Sequence, residues 1–241
     1  MRRILVAATL LVLAAGVSAG CSKGDSSEAA APTSSAPAKV ADPDGDLKLA
    51  AGAVLTPADV PEGWTPTGTP SSSADRSGSS DYVWGQPVLD CIGVKRATLG
   101  RYGPAAMSPS FRAPDGPSVS SKVEFEPSTV RAAAEMDLMR NDKLSGCALP
   151  PLQQAAKSNG ISVDSMQPVT FPRIGDDTVD LQTVSHSNAS GADVTAYSDV
   201  ISVRSGRALV TLTFTGVNAP FPVEQAQQMI QAVVSRLQPQ P

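Results

Sequence analysis

The chain has 241 residues, a formal net charge of −4, and only 17% charged residues. It contains no cluster of lysine and arginine, so the sequence does not favour binding to nucleic acid or electrostatic attachment to an anionic membrane surface.

The N-terminus has the pattern of a lipoprotein signal peptide. Two arginines precede an uncharged run of 14 residues, and small residues follow it. The run has the length of a signal-peptide core and is too short to span a membrane. We therefore predict that residues 1–20 are a signal peptide, and that Cys21 is lipidated and holds the chain on the extracytoplasmic face of the cell membrane. Because Ser18 stands where the lipid-attachment motif usually has an aliphatic residue, an ordinary secreted protein cleaved near Ala19 remains the alternative.

The two remaining cysteines form an even pair if Cys21 carries the lipid. In an oxidising compartment, this predicts a disulfide between Cys91 and Cys147. The bridge would close a loop of about 57 residues and contribute ~4 kcal/mol in the chain-entropy model. Two free, buried thiols are the alternative.

Composition divides the exported chain into a spacer and one domain. Residues 21–53 lack aromatic side chains and are rich in Ala, Ser, Pro, Asp and Gly, which predicts a flexible linker. Residues 54–238 then form a single folded domain, since this length supports one sizeable core.

Most of the predicted elements lie in the second half of the chain. In chain order they are a one-turn helix from Pro57, a short strand at 82–84, a strand over 118–126, a helix from 127 to about 144, a short helix from 150 to about 158, strands over 161–172, 178–187, 193–204 and 207–215, and a helix from Pro222. Ser205-Gly206 predicts a tight hairpin turn. The last helix carries an apolar stripe that requires a sheet to pack on. We therefore predict an α+β fold, with helices packed on an antiparallel sheet of about five strands.

Several short motifs resemble those of certain actinobacterial lipoproteins. They are LTPADVPEGW from Leu55, a helix that ends in a second cysteine, Ile174-Gly175-Asp176-Asp177, Arg204-Ser205-Gly206-Arg207, and Arg236-Leu237 in the last helix. The soluble part of those lipoproteins is similar to the extracellular sensor domain of a mycobacterial Ser/Thr kinase and, more loosely, to Mog1/PsbP-like domains. The resemblance implies helices against an antiparallel sheet with a cleft, and a ligand-binding role. The kinase sensor pattern has two disulfides, whereas this domain can form one.

Residues with catalytic or metal-binding chemistry are sparse. His186 is the only histidine, and its neighbour Ser185 on a strand points to the opposite face. No G-x-S-x-G motif is present to hold a nucleophile, so we expect a surface histidine and no enzyme. Asp176-Asp177 after Gly175 could pair two carboxylates for acid–base chemistry, but an isolated Gly-Asp-Asp before a strand is more often a turn. The acidic run at 42–46 lacks the closing glutamate of a calcium loop, and we expect neither a metal nor a cofactor.

Four aromatic residues of the first half are candidates for a binding cleft: Trp64, Tyr82, Trp84 and Phe111. The alternative is that they cover the open side of the sheet.

The sequence therefore favours a lipid-anchored extracytoplasmic binding or sensor-like module, with a small molecule or lipid as ligand. A structural or accessory protein that binds an envelope protein is the alternative. A histidine-dependent hydrolase is the least favoured hypothesis.

Overall fold

The computed structural model describes residues 42–74, 85–95, 103–188 and 192–238. Its helices are α1 (Pro43–Ala53), α2 (Gly85–Ile92), α3 (Thr129–Met139), α4 (Leu144–Lys157) and α5 (Val223–Ser235), with one 3-10 turn at Pro57–Asp59. Its strands are β1 (Thr65–Thr67), β2 (Ser71–Ser73), β3 (Ala105–Met107), β4 (Ser110–Arg112), β5 (Ser118–Phe125), β6 (Ile161–Val169), β7 (Asp177–Ser187), β8 (Val194–Ser205) and β9 (Ala208–Val217).

The strands form one antiparallel sheet, which confirms the predicted α+β class. Its five long strands lie in the order β5-β9-β8-β7-β6, and the short strands β1 to β4 extend it beyond β5. The described sheet therefore has nine strands rather than about five. The short strands were missed because each has three residues, too few to show an alternating pattern.

The sheet has helices on both faces. α1 and α5 cover one face, where the alternate residues of β9 from Ala208 to Phe214 are buried. α2, α3 and α4 cover the other face, mainly over β6 and β7. The apolar stripe of α5 places Ala226, Ile230 and Val233 on the sheet.

The first helix corrects the predicted linker. α1 lies inside the segment 21–53 that composition assigns to a flexible spacer, so the domain begins before residue 54. Ala50 and Ala53 are fully buried against the sheet, because small side chains allow the helix to approach it closely. Asp46 forms two hydrogen bonds of 2.8 and 2.9 Å with the Arg207 guanidinium between β8 and β9. The rest of the predicted linker lies outside the described residues.

The helices before β6 also differ from the prediction. The sequence predicts a helix from 127 to about 144 and a short helix from 150 to about 158. The structure instead has α3 and the longer α4, which contains Gly146 and both prolines, Pro150 and Pro151. Burial of Leu144 and Ala148 and the disulfide at Cys147 hold this segment in a helix despite the prolines. The predicted strand at 82–84 lies outside the described residues.

Candidate functional site

A cavity of about 150 Å³ lies between the sheet and the first turn of α5. Six of the residues around it come from strands, and the others come from the segments before and within α5 and after β6. The lining residues are Val169, Thr170, Phe171, Asp180, Gln182, Asp199, Ile201, Phe214, Pro220, Phe221, Val223 and Ala226.

Strand register brings the polar residues to this cavity. Asp180 on β7 lies opposite Ile201 on β8, and Asp199 on β8 lies opposite Gln182 on β7. Directly opposed residues in an antiparallel pair share a face, so both carboxylates point to the side that α5 covers. The two aspartates are therefore diagonal neighbours on adjacent strands.

A tight turn after β9 forms one side of the cavity. Asn218 adopts φ 59°, its amide donates to the Thr195 carbonyl at 2.7 Å, and its side-chain oxygen accepts from the Thr195 amide at 3.1 Å. Gly216 allows the chain to fold back, since a Cβ there would lie 2.1 Å from the Ala219 carbonyl oxygen. The turn thereby places Phe221 over the sheet, in contact with Phe214 at a ring-centroid distance of 4.8 Å.

The carboxylates of the cavity are in an unfavourable environment for charge. Burial, and next the nearby Asp199, raise the pKa of Asp180 to about 7. Burial also raises the pKa of Asp199, against a hydrogen bond of 2.8 Å that the Gln182 amide donates to it. Asp180 Oδ1 is buried and accepts no hydrogen bond. Among the described residues, no arginine or lysine forms an ion pair with either aspartate.

Of the four predicted cleft aromatics, the two that the structure describes, Trp64 and Phe111, are not among the residues lining this cavity. Trp64 packs edge-to-face on Phe221 at 6.0 Å and so supports the cavity wall from behind. Phe111 is fully buried in the core on the α1 and α5 face. Tyr82 and Trp84 lie outside the described residues.

His186 lies on the sheet away from the cavity. Its Nε2 is 2.6 Å from an Asp164 oxygen on β6, and its Nδ1 is 3.0 Å from the Thr195 hydroxyl on β8. The histidine and aspartate side chains are 48% and 43% exposed. A hydroxyl, an imidazole and a carboxylate are thus adjacent, but none of the three lines the cavity, and they form a solvated cross-strand group.

The other acidic candidates have structural contacts. Asp176 accepts hydrogen bonds from the Gly206 amide at 2.7 Å and from Arg204 at 3.0 Å, so it ties the turn before β7 to the β8–β9 hairpin. Asp177 pairs with Arg140. The run at 42–46 begins α1, with the Asp42 side chain accepting from the Gly45 amide. Among the described residues, no group of three or more His, Cys, Asp or Glu is arranged to hold a metal ion.

Cys91 on α2 and Cys147 on α4 form a disulfide with a Cα–Cα distance of 5.8 Å, the pairing that the sequence predicts. It joins α2 to α4, where Leu89, Ile92 and Leu138 form a small apolar cluster. Cys21 lies outside the described residues. In the described part of the chain, no helix has the length and hydropathy needed to cross a membrane.

Among solved structures, comparison identifies a protein with a similar fold. No protein-family model and no curated protein matches the sequence. The structure is similar to the extracellular domain of PknH from Mycobacterium tuberculosis, at 15% sequence identity and a TM-score of 0.45, over 77% of this chain and 93% of that domain. A likeness at this level assigns no function.

Proposed function

We propose that the protein is an exported, lipid-anchored module that binds a small ligand in the cavity between α5 and the sheet and carries out no chemistry on it. The observation that carries the proposal is the pair of buried carboxylates, Asp180 and Asp199, in an otherwise largely apolar cavity. Apolar cavities with a few convergent polar groups are the usual sites for small molecules.

Two further features support this function. The signal-peptide pattern and Cys21 predict display on the outer face of the membrane. The disulfide between α2 and α4 agrees with an oxidising compartment. The histidine that any imidazole-based catalysis would require lies outside the cavity lining, which favours binding over hydrolysis.

The cavity can be blocked at its outer side. Val223 lines it and is 44% exposed, so Val223→Phe introduces a ring at the entrance without entering the core. Val130 on α3 is 76% exposed and lies outside the lining, so Val130→Phe is a matched control.

We expect a panel of envelope metabolites and lipid headgroups to contain a ligand that raises the melting temperature of the wild type and of Val130→Phe. The shift should saturate with concentration and disappear in Val223→Phe, because ligand binding to the folded state alone stabilises it. Absence of any saturable shift across the panel, or an equal shift in Val223→Phe, contradicts the proposed function.

A further inference from the structure

Asp180 and Asp199 place two acidic groups in one cavity, and among the described residues no basic side chain pairs with either of them. Asp180 is 5% exposed and Asp199 6% exposed. A buried carboxylate is costly unless it is paired or hydrogen-bonded, and Asp180 Oδ1 has no hydrogen-bond partner. A ligand that brings a positive charge or a hydrogen-bond donor to this carboxylate would therefore stabilise it.

Aromatic rings line the cavity beside the two carboxylates, and Phe214 on β9 lies directly opposite Asp199 in the strand register. Phe171, Phe214 and Phe221 line it, and the last two rings lie 4.8 Å apart and are tilted by 39°. The face of an aromatic ring attracts a cation, and the attraction is stronger where water is excluded. Aromatic rings beside carboxylates are the combination of groups that recognises an organic ammonium ion.

We propose that the ligand is a small organic ammonium ion, a primary amine or a quaternary ammonium group, held by Asp180 and Asp199 and enclosed by the three phenylalanines. This inference rests on the proposed function and names the chemical class of its ligand. An anionic ligand would be repelled by the same two carboxylates.

The volume of the cavity and the polar groups that line it favour an organic ammonium ion over a calcium ion. The cavity volume of about 150 Å³ equals that of an engineered apolar cavity that holds one benzene molecule, so it fits a cation of roughly that size. Calcium requires six to eight oxygen ligands, and the lining offers two carboxylates and the Gln182 amide as its acidic and amide groups.

The test compares a cation with its neutral isostere. The mature protein is titrated calorimetrically at pH 8 with choline and with 1,4-diaminobutane. The neutral control is 3,3-dimethylbutan-1-ol, in which carbon replaces the charged nitrogen of choline. We expect one of the two cations to bind, and we expect the neutral alcohol to bind about tenfold more weakly than choline if choline is that cation. Asp180→Asn and Asp199→Asn should each weaken binding of the cation by about tenfold or more, whereas Asp115→Asn at an exposed site should leave it unchanged.

A second measurement separates ligand binding from folding. Asp180→Asn removes a buried group that resists ionisation, so the free variant should melt at the same or a higher temperature at pH 8. Lost affinity together with retained stability supports the assignment. Competition between free choline and phosphatidylcholine vesicles shows whether the ammonium group belongs to a free amine or to a lipid headgroup, and either source agrees with the proposal.

Three results would overturn the ammonium assignment: equal binding of choline and its neutral isostere, unchanged affinity in both asparagine variants, or a panel ligand that is neutral or anionic while neither cation binds. The last result leaves the proposed binding function intact. If no ligand of any kind binds, the proposed function itself fails.

Discussion

Asp180 on β7 and Glu126 after β5 are the two described carboxyl groups whose pKa is raised to about 7. Burial is the main cause for both. Asp199 adds to it at Asp180, and at Glu126 the carboxylates of Glu135 and Glu124 add to it while Arg131 and Lys122 oppose it. Each group holds its proton to a higher pH in the folded chain than in the unfolded chain.

This difference predicts a fall in stability with rising pH. Between about pH 4.5 and pH 7 the folded state binds more protons than the unfolded state, so the free energy of unfolding decreases across this window. Thermal unfolding is measured at pH 5, 6, 7 and 8. The melting temperature of Asp180→Asn and of Glu126→Gln should fall less steeply with pH than that of the wild type. Asp115→Asn at an exposed site is the control. A slope that is the same in both buried-site variants and in the wild type would show that these carboxyls are not the cause.

At the residue scale, part of the cavity could have been predicted from the pattern of residues on β8. Asp199 alternates with Ile201 and Val203 on β8, so period-two alternation places it on the buried face. A charged residue in an inward series is a candidate for a site. Phe171 and Phe221 gave no such signal, because they reach the cavity from segments between elements, whose course depends on tertiary contacts.

At the scale of elements, the turn after β9 controls the cavity wall. Gly216→Ala would place a methyl group against the Ala219 carbonyl oxygen, and the turn carrying Phe221 must move to relieve the overlap. We expect a loss of about 1–3 kcal/mol in the free energy of unfolding and a loss of ligand binding.

The matched control for this substitution is Gly52→Ala on α1. A Cβ at Gly52 meets no atom within 4 Å, and alanine is the better helix former, so we expect a gain of about 0.5 kcal/mol. Chemical denaturation of both variants measures the two effects. A stable Gly216→Ala variant with normal binding would show that the turn does not shape the site.

Elements were predictable where sequence periodicity and tertiary packing agree. The strands from β6 to β9 lie within a few residues of the predicted bounds, and α5 begins one residue after Pro222. α1 was missed because its buried apolar residues are alanines, which do not distinguish a packed helix from an alanine-rich linker. The length of α4 was missed because the propensity of Pro150 and Pro151 to break helices is overridden by packing upstream of them.

For the molecule as a whole, the lipid that the sequence predicts at Cys21 would determine where the domain is displayed. Because the lipid is expected at this thiol, Cys21→Ser should move the protein from the membrane fraction to the medium. The melting temperature and the disulfide should not change, because the domain described from residue 42 onward does not include Cys21.

Fractionation followed by mass spectrometry of the N-terminal peptide measures both the location and the lipid. Retention of Cys21→Ser in a carbonate-washed membrane fraction, or an unmodified Cys21 in the wild type, would contradict the anchor. The sequence alone is sufficient for this prediction about Cys21. The cavity could be found only from the folded arrangement, because its walls come from five separate segments of the chain.

The pairing of β5 with β9 sets an order of assembly. Strands β6 to β9 are successive hairpin partners and can pair as soon as each is available, whereas Ser118 on β5 must find Thr215 on β9. A chain that emerges N-terminus first, from a ribosome or through a membrane channel, therefore delivers β5 long before its partner. The sheet cannot be completed until nearly the whole chain has emerged, and until then the inward edge of β5 is open to pairing with other chains.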